Sequence, residues 1–140
     1  MSGRPAIRRV LETALSVDDM ERAVAFYRDV LGLRPMGGNA RLTPIDAGEG
    51  SVLLLFLRGA SADGVAYPGG RIPPHDGAGP MHVAFAVVAD AFAHWLARFA
   101  ALGIEVEVVN TWSRGGRSAY VRDPDGHSVE LATPGLWETY

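Results

Sequence analysis

The 140-residue chain has no cysteine, which excludes disulfides and thiolate metal sites and is the usage expected of a reducing, cytoplasmic setting. It also lacks a basic surplus. Thirteen Lys and Arg against sixteen Asp and Glu give a net charge of -3, so nothing argues for a nucleic-acid partner. Long apolar runs are missing too. Runs such as "VLLLFL" (52–57) are far too short to span a bilayer, and the opening "MSGRPAIRRV" has no apolar stretch of the signal-peptide kind. With 48% hydrophobic residues, a soluble globular domain with a real core is expected, working on small molecules rather than on membranes or nucleic acids.

The segment "VLETALSV" (10–17) alternates like a half-buried strand. Leu11, Thr13, Leu15 and Val17 form an expected core face, whereas Val10, Ala14 and Ser16 surround an acid, Glu12, on the other. A helix is predicted next, capped by Asp18 with Glu21 three residues on. Its apolar stripe is Met20, Ala23, Val24, Tyr27 and Leu31, and Gly32 is its stop. Strands are expected near 33–37, 41–47 and 51–58, followed by a Gly- and Pro-rich loop or linker at 59–80. The order then restarts: a strand at 81–88, a helix at 90–102, and strands at 103–109, 117–123 and 127–133, the last two joined by the turn "DPDG". Sliding the chain by about 70 residues lays Glu12 on His82, Leu15 on Phe85 and Val17 on Val87. One domain, 1–140, built from two βαβββ modules (about 8–58 and 81–134) is the economical reading. Neither module has enough core alone, so the two are expected to pack together.

Alternation puts His82 beside Ala84 and Ala86, and Glu130 beside Ser128 and Ala132, with bulky residues on the reverse faces. Small residues around Glu12, His82 and Glu130 suggest a face bordering a cavity. Taken singly, a strand His is usually structural and a strand Glu usually solvated. Together, two carboxylates and an imidazole are a donor set for one divalent cation, with positions left open for water or substrate.

The stretches "LSVDDMERAVAFYRDVLGL", "MHVAFAV" and "YVRDPDGHSVEL" closely resemble the vicinal oxygen chelate superfamily. This includes glyoxalase I, extradiol dioxygenases, fosfomycin-resistance thiol transferases, methylmalonyl-CoA epimerase and bleomycin-resistance proteins. The resemblance runs from about Val10 to Thr133. It implies an α+β fold in which two βαβββ modules form a cup-shaped, partly open mixed β-barrel with helices outside. It also implies a metal held by Glu12, His82 and Glu130, often in a homodimer in which the first-module ligand comes from one subunit and the other two from its partner. Glu12 stands where relatives commonly have His, which makes the site richer in oxygen and favours a harder ion, although Mn, Fe, Zn, Ni and Mg all remain open. Aligning Ser51-Val52 with Ser128-Val129 places Leu53 opposite Glu130, so no fourth ligand is expected and Leu53 is expected to face the cup.

Ser118 and Tyr120 match positions lining the site in the thiol transferases, which makes Tyr120, with Glu130, a candidate catalytic group. Arg114 and Arg117 are either a carboxylate clamp or an exposed hairpin. His75 either reaches the cavity from the linker or is an ordinary loop residue. His127 shares the Val129 and Leu131 face, away from Glu130, and is discounted as a ligand. The expected function is a metal-dependent enzyme that chelates a small oxygen-rich substrate, for isomerase or lyase chemistry or for ring-cleaving dioxygenation. The alternative is a metal-free, drug-sequestering protein of the bleomycin-resistance kind.

Overall fold

A computed structural model describes residues 3–140. The first module contains β1 (Glu12–Val17), α1 (Met20–Ala25), β2 (Arg34–Pro35), β3 (Leu42–Asp46) and β4 (Val52–Leu57). Its strands form a sheet ordered β1-β4-β3-β2, with β1 parallel to β4 and the other pairs antiparallel. The 59–80 segment is not a plain loop. It holds a small hairpin of β5 (Val65–Tyr67) and β6 (Gly70–Ile72). The second module repeats the plan with β7 (His82–Ala86), α2 (Phe92–Ala101), β8 (Val108–Thr111), β9 (Arg117–Arg122) and β10 (Ser128–Ala132), in the order β7-β10-β9-β8. The α+β class and the doubled βαβββ order are therefore as expected. The barrel is open: the two sheets are separate, and β1 and β7 are both edge strands.

The first helix is capped one residue later than expected. Asp19 is extended and its Oδ1 accepts from the Arg22 N–H at 3.0 Å, while the Asp18 N–H donates across the modules to Asp125 Oδ1 at 2.7 Å. The helix then widens into a π turn at Phe26–Val30 before Gly32 ends it at φ 75°, a conformation that favours glycine. Leu15, Val17, Tyr27, Leu53 and Leu55 of the first module share one hydrophobic core with Val83, Phe99, Val121, Val129 and Leu131 of the second.

Polar contacts between the modules concentrate at one end of this interface. The buried Tyr27 hydroxyl donates to Asp123 Oδ2 at 2.7 Å, and Asp123 Oδ1 accepts from the backbone of Asp125 and His127. Arg22 reaches the Pro124 carbonyl, and Arg98 donates to the carbonyls of Asp29 and Val30. Burial first, and then the Asp123 charge and hydrogen bond, push the Tyr27 phenol far above its ordinary 10.0. A phenol raised in the folded state contributes stability that is intact below about pH 10 and lost above it, because only the unfolded chain ionises easily. Stability is therefore expected to fall more steeply above pH 10 in wild type than in Tyr27→Phe, as read by denaturant melts at pH 9 to 11. Parallel curves would mean that the phenol is not sequestered.

The expected position of Leu53 is wrong by one residue. Glu12 pairs with Val52 and His82 with Ser128, so Leu54, not Leu53, occupies the position of Glu130. Leu53 is fully buried in the core. Leu53→Glu would place a carboxylate in that core and is expected to cost about 4 kcal/mol or more. Leu54→Glu adds a donor beside Glu12 instead and is expected to fold normally. Thermal melts of the two variants separate these outcomes, and similar melting temperatures would disprove the register.

Candidate metal centre

β7, β10 and β9 lie side by side, and their pairing assembles one polar cluster. Glu130 is opposite Tyr120 on one side and Ala84 on the other, and His82 is opposite Ser128. Alternation therefore gives His82, Glu130, Tyr120 and Ser118 a common face, with Ala84 and Ala86 exposed between them. The His82 and Tyr120 rings lie 6.4 Å apart at 29°. His82 Nδ1 is 3.0 Å from the Ser128 carbonyl, which only accepts, so Nδ1 carries the proton and Nε2 presents its lone pair outward. That is the orientation a metal-ligating imidazole takes from its second hydrogen bond.

Glu130 is only 5% exposed, and among the described residues no Arg or Lys forms an ion pair with it. Burial first, and then the hydrogen bond and charge of Glu130, push the Tyr120 phenol up, while Ser118 and Asn110 oppose the shift. Ser118 is fully buried, and its Oγ accepts from the Trp112 indole N–H at 2.8 Å, so Trp112 closes this corner. Trp137 is 67% exposed, and the Tyr140 hydroxyl packs back onto the Ala132 carbonyl at 2.8 Å.

Glu12 lies on the other sheet, exposed, on the face it shares with Ala14 and, across β4, with Val52 and Leu54. Among the described residues no three His, Asp or Glu side chains come together as a metal cluster. One chain thus unites His82 and Glu130 but not Glu12. A buried carboxylate without a cationic partner, sharing a face with an imidazole whose Nδ1 is already hydrogen-bonded, fits a divalent ion as two of its donors.

The remaining candidates separate cleanly. His75 packs edge-on against Phe56 at 4.4 Å, and Phe56 shares the Glu12 face, so this histidine borders the first-module face. Arg117 alternates with Ser118 onto the opposite face of β9, where its guanidinium stacks 4.4 Å over the Phe92 ring. Arg114 is exposed, and so is His94 on the second helix. His127 is no ligand but is far from idle. It is fully buried, its Nδ1 accepts from the Met81 N–H at 2.7 Å, and its Nε2–H donates to the Ser16 carbonyl at 2.7 Å. Its place on the core face was readable by alternation. The Ser16 carbonyl, 111 positions away, was not.

This open pair of βαβββ modules with a histidine–carboxylate face is a recognisable class. Residues 9–131 match the Glyoxalase/Bleomycin resistance protein/Dioxygenase superfamily, and the chain belongs to it. It is similar over 96% of its length to the structure of a lactoylglutathione lyase from Agrobacterium tumefaciens, at 37% identity, 99% coverage of that chain and a TM-score of 0.87. The fold is shared with a fosfomycin resistance protein, FosX, from Listeria monocytogenes (22% identity, 94% of this chain, 97% of that one, TM-score 0.66). A glyoxalase/dioxygenase from Nostoc punctiforme shares it too (22% identity, 94% and 98% coverage, TM-score 0.66). Among the described residues, no helix is long and apolar enough to cross a membrane.

Proposed function

We propose that the chain is a metal-dependent enzyme in which His82 and Glu130 of one copy and Glu12 of a second hold a divalent cation. Its substrate is a small molecule carrying two neighbouring oxygens, and its chemistry is proton transfer of the isomerase or lyase kind. The observation that carries this reading is the Glu130 carboxylate, buried without a cationic partner on the face of an imidazole whose Nδ1 is already committed to the Ser128 carbonyl. The 37% identity to a lactoylglutathione lyase over nearly the whole of both chains supports the lyase side over the dioxygenase side.

Bound there, the cation would polarise the chelated oxygens and acidify the adjoining C–H. The protein's own part is to hold and move protons. Glu130 is placed to take a proton from carbon, and the Tyr120 phenol, kept protonated by its buried setting, to orient or protonate a substrate oxygen. Ala84 and Ala86 leave room above the sheet, and Leu54, at the position corresponding to Glu130, keeps the protein donors to three. A metal-free drug binder needs none of the three donors, which makes metal content of protein purified without chelator the deciding measurement. About one ion per chain is expected.

A shared site has a further signature. Glu12→Gln and Glu130→Gln homodimers should each be inactive, yet mixing them after mild dissociation should restore about a quarter of wild-type activity. Half the dimers would then be mixed, each with one intact site. No recovery from an exchanged mixture would place the whole site in one chain. Sedimentation giving a monomer at micromolar concentration would rule out the shared cup altogether.

A further inference from the structure

The two modules are related by a pseudo-two-fold axis, and matching backbone hydrogen bonds fix the correspondence. Asp123 N–H to His127 O (3.1 Å) repeats Ala47 N–H to Ser51 O (3.0 Å). Ser128 N–H to Met81 O (2.8 Å) repeats Val52 N–H to Leu11 O (3.0 Å). Ile104 N–H to Phe99 O (2.8 Å), five residues back, answers to Leu33 N–H to Tyr27 O (3.0 Å), six back, the extra residue being taken up in the π turn of the first helix. The residues that clasp the modules together, Tyr27, Asp123 and His127, therefore correspond to Phe99, Ala47 and Ser51. At the second end the phenol and the carboxylate of the clasp are gone and the imidazole is replaced by the short hydroxyl of Ser51. No side chain there spans the Leu11 N–H and the Ala86 carbonyl, the counterparts of the two groups that His127 bridges.

The vacated end is a cavity of about 500 Å³. Ala47 and Ser51 line it together with Leu11 and Ala86, and its apolar surface comes from Leu31, Leu33, Phe85, Val87 and Trp95. Glu12 and Glu49 also border it, whereas His82, Tyr120 and Glu130 do not. The space exceeds what a lost imidazole and carboxylate leave behind and lies in the range of small-molecule pockets. Unpaired edges of β1 and β7 add backbone donors and acceptors to the walls.

We propose that this end of the pseudo-dyad is a second binding site, lined by none of His82, Tyr120 and Glu130, for a compact uncharged ring compound with one hydrogen-bonding group. The ring would lie against Trp95 and Phe85, and its polar group would meet the strand edges. The acids at the border select against anions.

The test uses N-phenyl-1-naphthylamine, a neutral probe whose fluorescence rises in apolar surroundings, titrated into the whole protein. Saturable binding of one probe per chain is expected, with the anionic analogue 1-anilinonaphthalene-8-sulfonate at least about tenfold weaker. Ser51→His, which rebuilds the bridge that His127 makes at the other end, should lower probe affinity at least about tenfold, and Ala47→Leu should do the same by filling space. His82→Ala should leave it unchanged. Circular dichroism identifies any variant that fails to fold, and either filling variant suffices. Absence of saturable binding, as when a second copy covers the cavity, overturns the proposal. So does a probe that is lost in His82→Ala but kept in the filling variants.

Discussion

Glu130→Gln is expected to lose bound metal on dialysis and to lower kcat by roughly 10²- to 10⁴-fold, the range for removing a general base. The amide keeps the shape of the side chain, so packing against Tyr120 and Ala84 survives. What disappears is the negative charge, which is both the stronger metal donor and the proton acceptor. Stability should change little, or rise, because a carboxylate that is 5% exposed without a cationic partner costs solvation free energy in the metal-free protein. An active site that opposes folding in this way is a common compromise. The measurements are metal content by mass spectrometry, melting temperature without metal, and turnover with metal in excess. A variant that retains both metal and turnover would remove Glu130 from the centre.

The sequence made the donors legible because a strand's two-residue period leaves no freedom: once 81–88 and 127–133 are strands, His82 and Glu130 must share a face with alanines. The same rule amplified a small error at Leu53. A one-residue slip across the "DAGEGS" turn reverses the face, and Ser51-Val52 only superficially resembles Ser128-Val129. The contact of Arg117 with the Phe92 ring was not legible, since it joins a strand to a helix 25 residues earlier in the chain and no local pattern carries it. Asp19 caps the first helix in place of Asp18, whose N–H is held by Asp125 in a contact that no local pattern carries. Two of the motifs that resemble the family most closely, "F-Y-x-D" and "D-P-D-G", meet in space as Tyr27 and Asp123. They mark how the modules are joined and say little about the reaction. That is why they identified the fold more firmly than the substrate.

His127→Ala should be the most damaging substitution outside the hydrophobic core, at about 3–5 kcal/mol. It strands the Met81 N–H, at about 1–3 kcal/mol, removes the shorter of the two hydrogen bonds to the Ser16 carbonyl, which keeps Arg58 Nη2 at 3.2 Å, and leaves a void at the module junction. For a chain of this size the melting temperature should fall by about 10–15 °C. The pattern of rescue carries the argument. Asn can place an oxygen near the Nδ1 position and accept from the Met81 N–H, but it cannot reach the Ser16 carbonyl, so it should recover only part of the loss. Restoration of wild-type stability by Asn would mean that the link to Ser16 contributes nothing. Because Ser16 lies one residue before the end of β1 and Met81 precedes β7, loosening this junction also shifts the strands that carry Glu12 and His82. Hydrogen exchange should accelerate at both strands together in His127→Ala, well before global unfolding. Acceleration confined to the residues around 127 would show that the two modules hold together without the clasp.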